Sequence, residues 1–164
     1  SGDDFEESDF DQAERLYSLL YLEKYSKYNP AFTAEYLQLC QKTGVFKIFG
    51  FRGADGKLHA VVGFFIMGGV LTAPIVGYDT HRPTREGLYR HVIAFTLRYA
   101  KKEKLLVNLS SGASGFKRLR GGQPVMEWSA VYIRHLSWSR RIAFRILQGL
   151  LISIALPLLK VFKL

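Results

Sequence analysis

Cysteine is almost missing from this sequence: Cys40 stands alone among 164 residues. No disulfide can close within the chain, which excludes the stapled secreted scaffolds and fits a reducing compartment. Cys40 sits in the run Tyr36, Leu37, Leu39, Cys40, a setting that predicts simple burial. Ligand spacing for a metal is missing as well. His59, His91 and His135 fall in strand or helix contexts without a second His or Cys nearby, so no metal is expected. No internal repeat is visible. Acidic residues become scarce after the first turns of chain. Seven of the 14 Asp and Glu lie between Asp3 and Glu14, so residues 15–164 carry 23 basic against 7 acidic residues, or +16, although the whole chain is +9. A body of that charge favours anionic partners such as a nucleotide cofactor, RNA or an acidic membrane. The acidic, polar start does not resemble a secretory leader, and a cytoplasmic chain is the expectation.

What is present is an ordinary globular composition, 48% apolar and 23% charged, enough for one domain with a sizeable core. Ser8 to Tyr25 has a broad apolar face through Phe10, Leu16, Tyr17, Leu19, Leu20 and Leu22, which predicts a helix ended by Asn29-Pro30. A second helix is expected over Thr33 to Gln41, stopping near Gly44. Then Val45 to Phe51, Leu58 to Met67 and Val70 to Gly77 read as strands, separated by Asp55-Gly56 and Gly68-Gly69 turns. They predict an antiparallel meander. Gly63, inside the middle strand, marks a bulge, a close backbone approach or simply a small core residue.

The chain is organised around Val70 to Tyr99. A strand delivers a loop without period, Gly77 to Arg85, onto a helix marked by Leu88, Val92, Phe95 and Tyr99. Amide groups at a helix start lack intrahelical partners and stand at the positive end of its dipole, so that point binds anions. Arg82, Arg85 and Arg90 gather there, which makes it a candidate phosphate or pyrophosphate site. Leu105 to Leu109 should then pair parallel to Val70–Gly77 through a right-handed crossover. Ser110 to Gly115 is a small-residue loop, Phe116 to Arg120 a short helical turn, and Val125 to Leu136 a final strand. The expected fold is α/β, a mixed and mostly antiparallel twisted sheet with helices on both faces. A parallel pair diverging beside a helix start leaves a crevice, lined by Tyr78, Asp79, Thr80 and His81 from one strand and Asn108, Ser110 and Ser111 from the other. The expected division is residues 1–137 for this domain and 138–164 for a basic, apolar helical tail.

This order of elements resembles the GNAT acyltransferase fold. Arg82-Pro83-Thr84-Arg85-Glu86-Gly87 is similar to the family's Arg/Gln-x-x-Gly-x-Gly/Ala loop, which wraps the acyl-CoA pyrophosphate, with Arg85 in place of the middle glycine. The run VNLSSGASGFKRLRGGQP from Val107 to Pro124, the EWSAVYIRHL that ends at Leu136, GLYR at Gly87 to Arg90, and KYSKYNPAFT resemble the FemAB-like branch, linked to bacterial envelope polysaccharide or peptidoglycan tailoring. The resemblance implies acyl transfer from acyl-CoA, acetyl-CoA in the simplest case, to an amine or hydroxyl of an envelope-related acceptor. It implies oxyanion or cofactor contacts from Ile75, Gly77 and Tyr78, phosphate contacts from Arg82, Arg85, Gly87, Leu88 and Arg90, and further cofactor contacts from Asn108 and Ser110. Lys117 matches the branch's lysine and would stabilise phosphate or oxyanion charge, unless it is a solvated lysine beside Arg118 and Arg120. Asp79, His81 and Glu127 are the candidate general bases, and Tyr132 could protonate the leaving thiolate.

Two alternatives accompany that reading. Aminoacyl transfer from charged tRNA would use the +16 body, and a catalytically degenerate domain would serve as a binding module. FemAB-like proteins often hold two GNAT domains, so a homodimer or a second domain elsewhere could complete the site. In the tail, Arg140, Arg141 and Arg145 precede Ile146 to Leu159. About 14 residues fall short of the roughly 20 that cross a bilayer. The expectation is therefore a helix lying on an anionic membrane at its cytoplasmic face, or one packed against protein.

Overall fold

The computed structural model describes residues 5–162 apart from Ser111, Ala113 and Glu127, with the backbone but not the side chain at Lys160 and Phe162. Its contacts divide the chain into two compact units, Ser1–Gly112 and Ala113–Leu164. Residues 113–137, placed by sequence with the α/β domain, group by contact with the C-terminal helix.

The first unit begins with helix α1, Ser8–Ser18, which widens into a π-helical segment over Leu19–Tyr25. Helix α2, Ala34–Lys42, follows a short turn. The Thr33 hydroxyl accepts from the Tyr36 amide, and the Glu14 carboxylate accepts from the Ala34 amide at 2.7 Å, so two of the first amides of α2 are held by side-chain oxygens. Strands β1 (Lys47–Arg52), β2 (Leu58–Met67) and β3 (Val70–Tyr78) form the expected meander. A 3₁₀ turn at Thr84–Glu86 leads into helix α3, Leu88–Lys102, and strand β4, Leu106–Asn108, returns parallel to β3. The sheet order is β1-β2-β3-β4.

Alternation along the strands supplies two cores, one on each face of the sheet. Leu16, Tyr17, Leu37, Ile48, Val61 and Ile75 meet between the sheet and α1 and α2. On the other face Val62, Phe64, Leu71, Val76 and Val92 meet under α3, walled by Phe49, Phe95 and Tyr99. This is the mixed sheet with helices on both faces that the sequence predicts, and it has the GNAT-like form.

The bulge lies opposite Gly63, on the neighbouring strand. Gly63 pairs with Ile75 and Phe65 with Thr72, so three steps along β3 face two along β2. The extra residue falls at Ala73-Pro74. Proline has no amide to give a ladder, and a bulge is where an inner strand tolerates it. The β4 ladder stops at the same place, its last pair being Thr72 with Asn108. Beyond it, β3 runs on to Tyr78 with no strand on that side among the described residues.

The second unit contains α4, Ser114–Arg118, and then a long helix made of α5 (Trp138–Leu150), a π-helical segment (Leu151–Ala155) and α6 (Leu156–Phe162). Two expectations need correction here. Val125–Leu136 forms no strand; its described residues are irregular up to a turn at residues 134–136. Alternation marks a pleated, half-buried pattern but does not itself supply strand pairing. Met126, Trp128, Val131 and Ile133 line a groove against the helix instead. The apolar tail is also longer than the 14 uncharged residues indicate, since Trp138–Leu159 is 22 helical residues. Pro157 does not end it; the wider π turns just before the proline relieve its clash with the preceding carbonyl.

Candidate active site

The site grows from the end of β3. Gly77 packs against α1 so closely that a Cβ would stand 2.6 Å from the Tyr17 backbone nitrogen and 2.7 Å from the Leu16 carbonyl carbon. That contact fixes where Tyr78 and Asp79 emerge. The Asp79 amide donates to the His59 carbonyl at 2.9 Å, continuing the β2 contact. Its carboxylate Oδ1 accepts from the His81 amide at 3.0 Å and lies 3.3 Å from His81 Nδ1. Asp79 therefore closes a turn and orients the imidazole.

The chain then passes Arg82 and enters the 3₁₀ turn. Gly87 ends that turn and starts α3 in the left-handed region, at φ 67°, where glycine carries no steric cost. Its carbonyl accepts from the His91 amide at 2.9 Å, the first bond of α3. No acidic residue lies in the first turn of α3. The helix start is thus electropositive, and Pro83, Thr84 and Arg85 before it are exposed. Arg90 folds back over the turn, donating to the Arg85 carbonyl at 3.3 Å and covering Gly87.

Arg82 is already engaged. Its Nε donates to the Glu86 carboxylate at 2.5 Å, and Nη1 lies 3.2 Å from His59 Nε2. The same His59 nitrogen is 3.0 Å and 3.1 Å from the two Asp55 oxygens. A single ring nitrogen cannot accept from Arg82 while donating to Asp55, so the two contacts exclude each other in any one tautomer. The Glu86 contact, with Asp55 and Asp79 behind it, holds the Arg82 guanidinium above its ordinary pKa. The Lys57 amide is the main cause that keeps Asp55 below its ordinary carboxylate value, with His59 and Arg82 adding to it. The strand context of His59 predicts a structural residue; the structure ties it to Arg82.

A second feature escaped the sequence reading. Tyr17 and Tyr21 stack at 4.7 Å, Tyr21 meets Tyr25 edge-on at 5.9 Å, and Tyr78 lies 6.3 Å from Tyr89 of α3. Lys24 sits over the Tyr78 ring at 5.8 Å. Burial raises the Tyr21 hydroxyl pKa first, and neighbouring Tyr25, Tyr89 and Tyr78 raise it further. The cluster walls the β3 exit with neutral donors. Its sequence signal was the four-residue spacing of Tyr17, Tyr21 and Tyr25, which places them on one helical face.

The other site residues divide as follows. Ile75 is buried in the core under α1, and Leu88 is half-buried at the start of α3. Asn108 and Ser110 leave β4 opposite Thr72, six residues before Tyr78, or about 20 Å along the strand. They mark one end of the opening and the Tyr78–Arg90 loop marks the other. The Asn108 carboxamide oxygen accepts from the Ser110 amide, with Ser110 at φ 58°. Lys117 and Tyr132 belong to the second unit. The Lys117 carbonyl accepts from the Arg120 and Gly122 amides and closes α4, and Tyr132 stacks on His135 at 5.5 Å. Glu127 and Ser111 lie outside the described residues.

No family model and no curated protein matches this sequence. Solved structures do resemble it in fold. One is an acetyltransferase from Trypanosoma brucei, 16% identical, covering 77% of this chain and 94% of its own, at a TM-score of 0.57. Another is an aminoglycoside acetyltransferase from an uncultured soil metagenomic sample, solved with trehalose, 16% identical, covering 84% and 92% respectively, at 0.54. A third, described as a transcriptional regulator from Bacillus halodurans, is 13% identical, covers 77% and 95%, and scores 0.54. These likenesses establish the GNAT-like fold.

Proposed function

We propose that this protein is a GNAT-type acyltransferase that takes an acyl group from acyl-CoA. The observation that carries the proposal is the coincidence at Thr72. The β3 bulge and the end of the β4 ladder fall together there, so the strand that feeds the arginine loop runs on beside an open edge. Such an opening suits the pantetheine arm, and the electropositive start of α3 suits the pyrophosphate.

In this reading Arg85 and Arg90 meet the phosphates, joined by Arg82 as the phosphate displaces Glu86 and helped by the Leu88 amide, while Gly87, whose own amide donates to the Thr84 carbonyl, lets the chain turn into α3. Within Ile75 to Tyr78 of β3, the amides that alternate away from β2, those of Val76 and Tyr78, supply the oxyanion donors. His81, oriented through Nδ1 by Asp79, accepts the proton of an attacking amine or hydroxyl at Nε2. The tetrahedral intermediate then collapses, the carbon–sulfur bond breaks, and the thiolate takes a proton from the tyrosine wall, for which Tyr78 stands nearest the strand end. Lys117, Glu127 and Tyr132 belong to the second unit and take no step in this reading. An envelope-related acceptor rests on the FemAB-like resemblance alone.

A second reading, aminoacyl transfer from charged tRNA, draws on the +16 body and on the loop in which Glu86 already holds Arg82. Titration calorimetry separates the two. Saturable binding of CoA that weakens about tenfold in Arg85→Ala supports the first; tRNA binding that falls steeply with salt, without any CoA heat, supports the second.

A further inference from the structure

We propose that the helix from Trp138 to Leu159 is a membrane segment, which inserts into the hydrocarbon core of an anionic bilayer and tethers the protein to its surface. The helix has 22 residues and a mean hydropathy of 2.0 over its apolar window, and none of that window is buried. At 1.5 Å per residue it is about 33 Å long, against a hydrocarbon core of about 30 Å. An apolar helix of this length does not stay uncovered in water.

Charge placement selects lipid as the occupant. From Trp128 to Leu164 there is no acidic residue, whereas Arg134, Arg140, Arg141 and Arg145 gather at the start of the helix and Lys160 and Lys163 follow its apolar part. Between Ile146 and Leu159 no residue is charged. This is an apolar middle with basic ends, and Trp138, which is exposed, stands where an interfacial aromatic belongs. One side of the helix, which presents Phe144, Leu147 and Leu151 as well as Arg145 and Gln148, lines a groove of about 450 Å³ together with Trp128 and Val131. Ile146, Leu150 and Ile154, spaced by four on one helical line, are 59%, 51% and 53% exposed. Arg145 lies one turn beyond Arg141, within reach of the headgroups by snorkelling.

The test is flotation of the full chain with phosphatidylcholine vesicles containing 30 mol% phosphatidylglycerol, at about 0.1 M and 1 M salt. The expected result is flotation at both salts, with a blue shift of tryptophan emission as Trp138 enters the interface. The triple variant I146D/L150D/I154D should stay at the bottom of the gradient. R140Q/R141Q, which leaves the apolar line intact, should lower partitioning at low salt by about fivefold per arginine. Failure of the wild-type chain to float, or its release at high salt, overturns the proposal. So does a vesicle-independent dimer in sedimentation velocity that the triple variant dissolves, because the apolar line would then be covered by a second copy.

Discussion

Glu86 closes on Arg82 at 2.5 Å, four residues apart across the 3₁₀ turn, with both side chains about one-third exposed. The acid occupies the guanidinium that an incoming phosphate would use. In the proposed reading the two compete, so Glu86→Gln should tighten binding of CoA or inorganic pyrophosphate by about threefold, the scale of a partly exposed pair. Calorimetric titration of both ligands checks this. Unchanged affinity would mean that Arg82 serves the loop and not the ligand.

Gly77 and Gly63 give a paired prediction on stability. At Gly77 a methyl group would run into the backbone of Leu16 and Tyr17, which cannot swing aside, while at Gly63 it would meet the Ile75 side chain at 3.0 Å. Gly77→Ala should cost about 2–4 kcal/mol and Gly63→Ala about 1 kcal/mol, read from urea unfolding. Equal losses would contradict the close helix-strand approach that sets the β3 exit.

Tyr17 predicts a pH dependence. Burial first, and then Tyr21, push its hydroxyl up to about 12 from 10.0, and the hydroxyl donates to the Pro30 carbonyl at 3.0 Å. The folded state keeps the proton longer than the unfolded chain. The contribution is therefore complete below pH 10, falls as pH rises from about 10 to 12, and is gone above the folded value; two pKa steps correspond to about 2–3 kcal/mol. Tyr17→Phe should flatten that part of the stability curve. An unchanged slope between pH 10 and 12 would contradict the assignment.

How much of this was legible in the sequence differs by element, for physical reasons. The meander, the long helix and the parallel return strand were readable because alternation, turn glycines and helical period all agreed between Lys47 and Asn108. Gly63 is compatible with a bulge, a close backbone approach or a small core residue; the register shift appears beside it, yet the extra residue belongs to β3. Pro74 was the clearer signal, since a proline inside an inner strand requires one. Val125–Leu136 alternates well and still shows no strand among its described residues, because alternation does not itself supply pairing. The arginine loop was visible as charge, but its closure by Glu86, Asp55 and His59 was not, as His59 lies 23 residues away along the chain. The tyrosine wall was hidden in the apolar face of a helix, where each ring reads as core until Tyr78 and Tyr89 arrive beside it.

The central claim is that the loop from Arg82 to Arg90 receives the phosphates of an activated acyl carrier. Amide chemical-shift mapping of the labelled protein during titration with CoA tests it most directly. The account predicts saturable shifts centred on residues 82–90 and extending along β3 from Tyr78 back to Ile75. Shifts centred on any other element, or none at millimolar CoA, would contradict it.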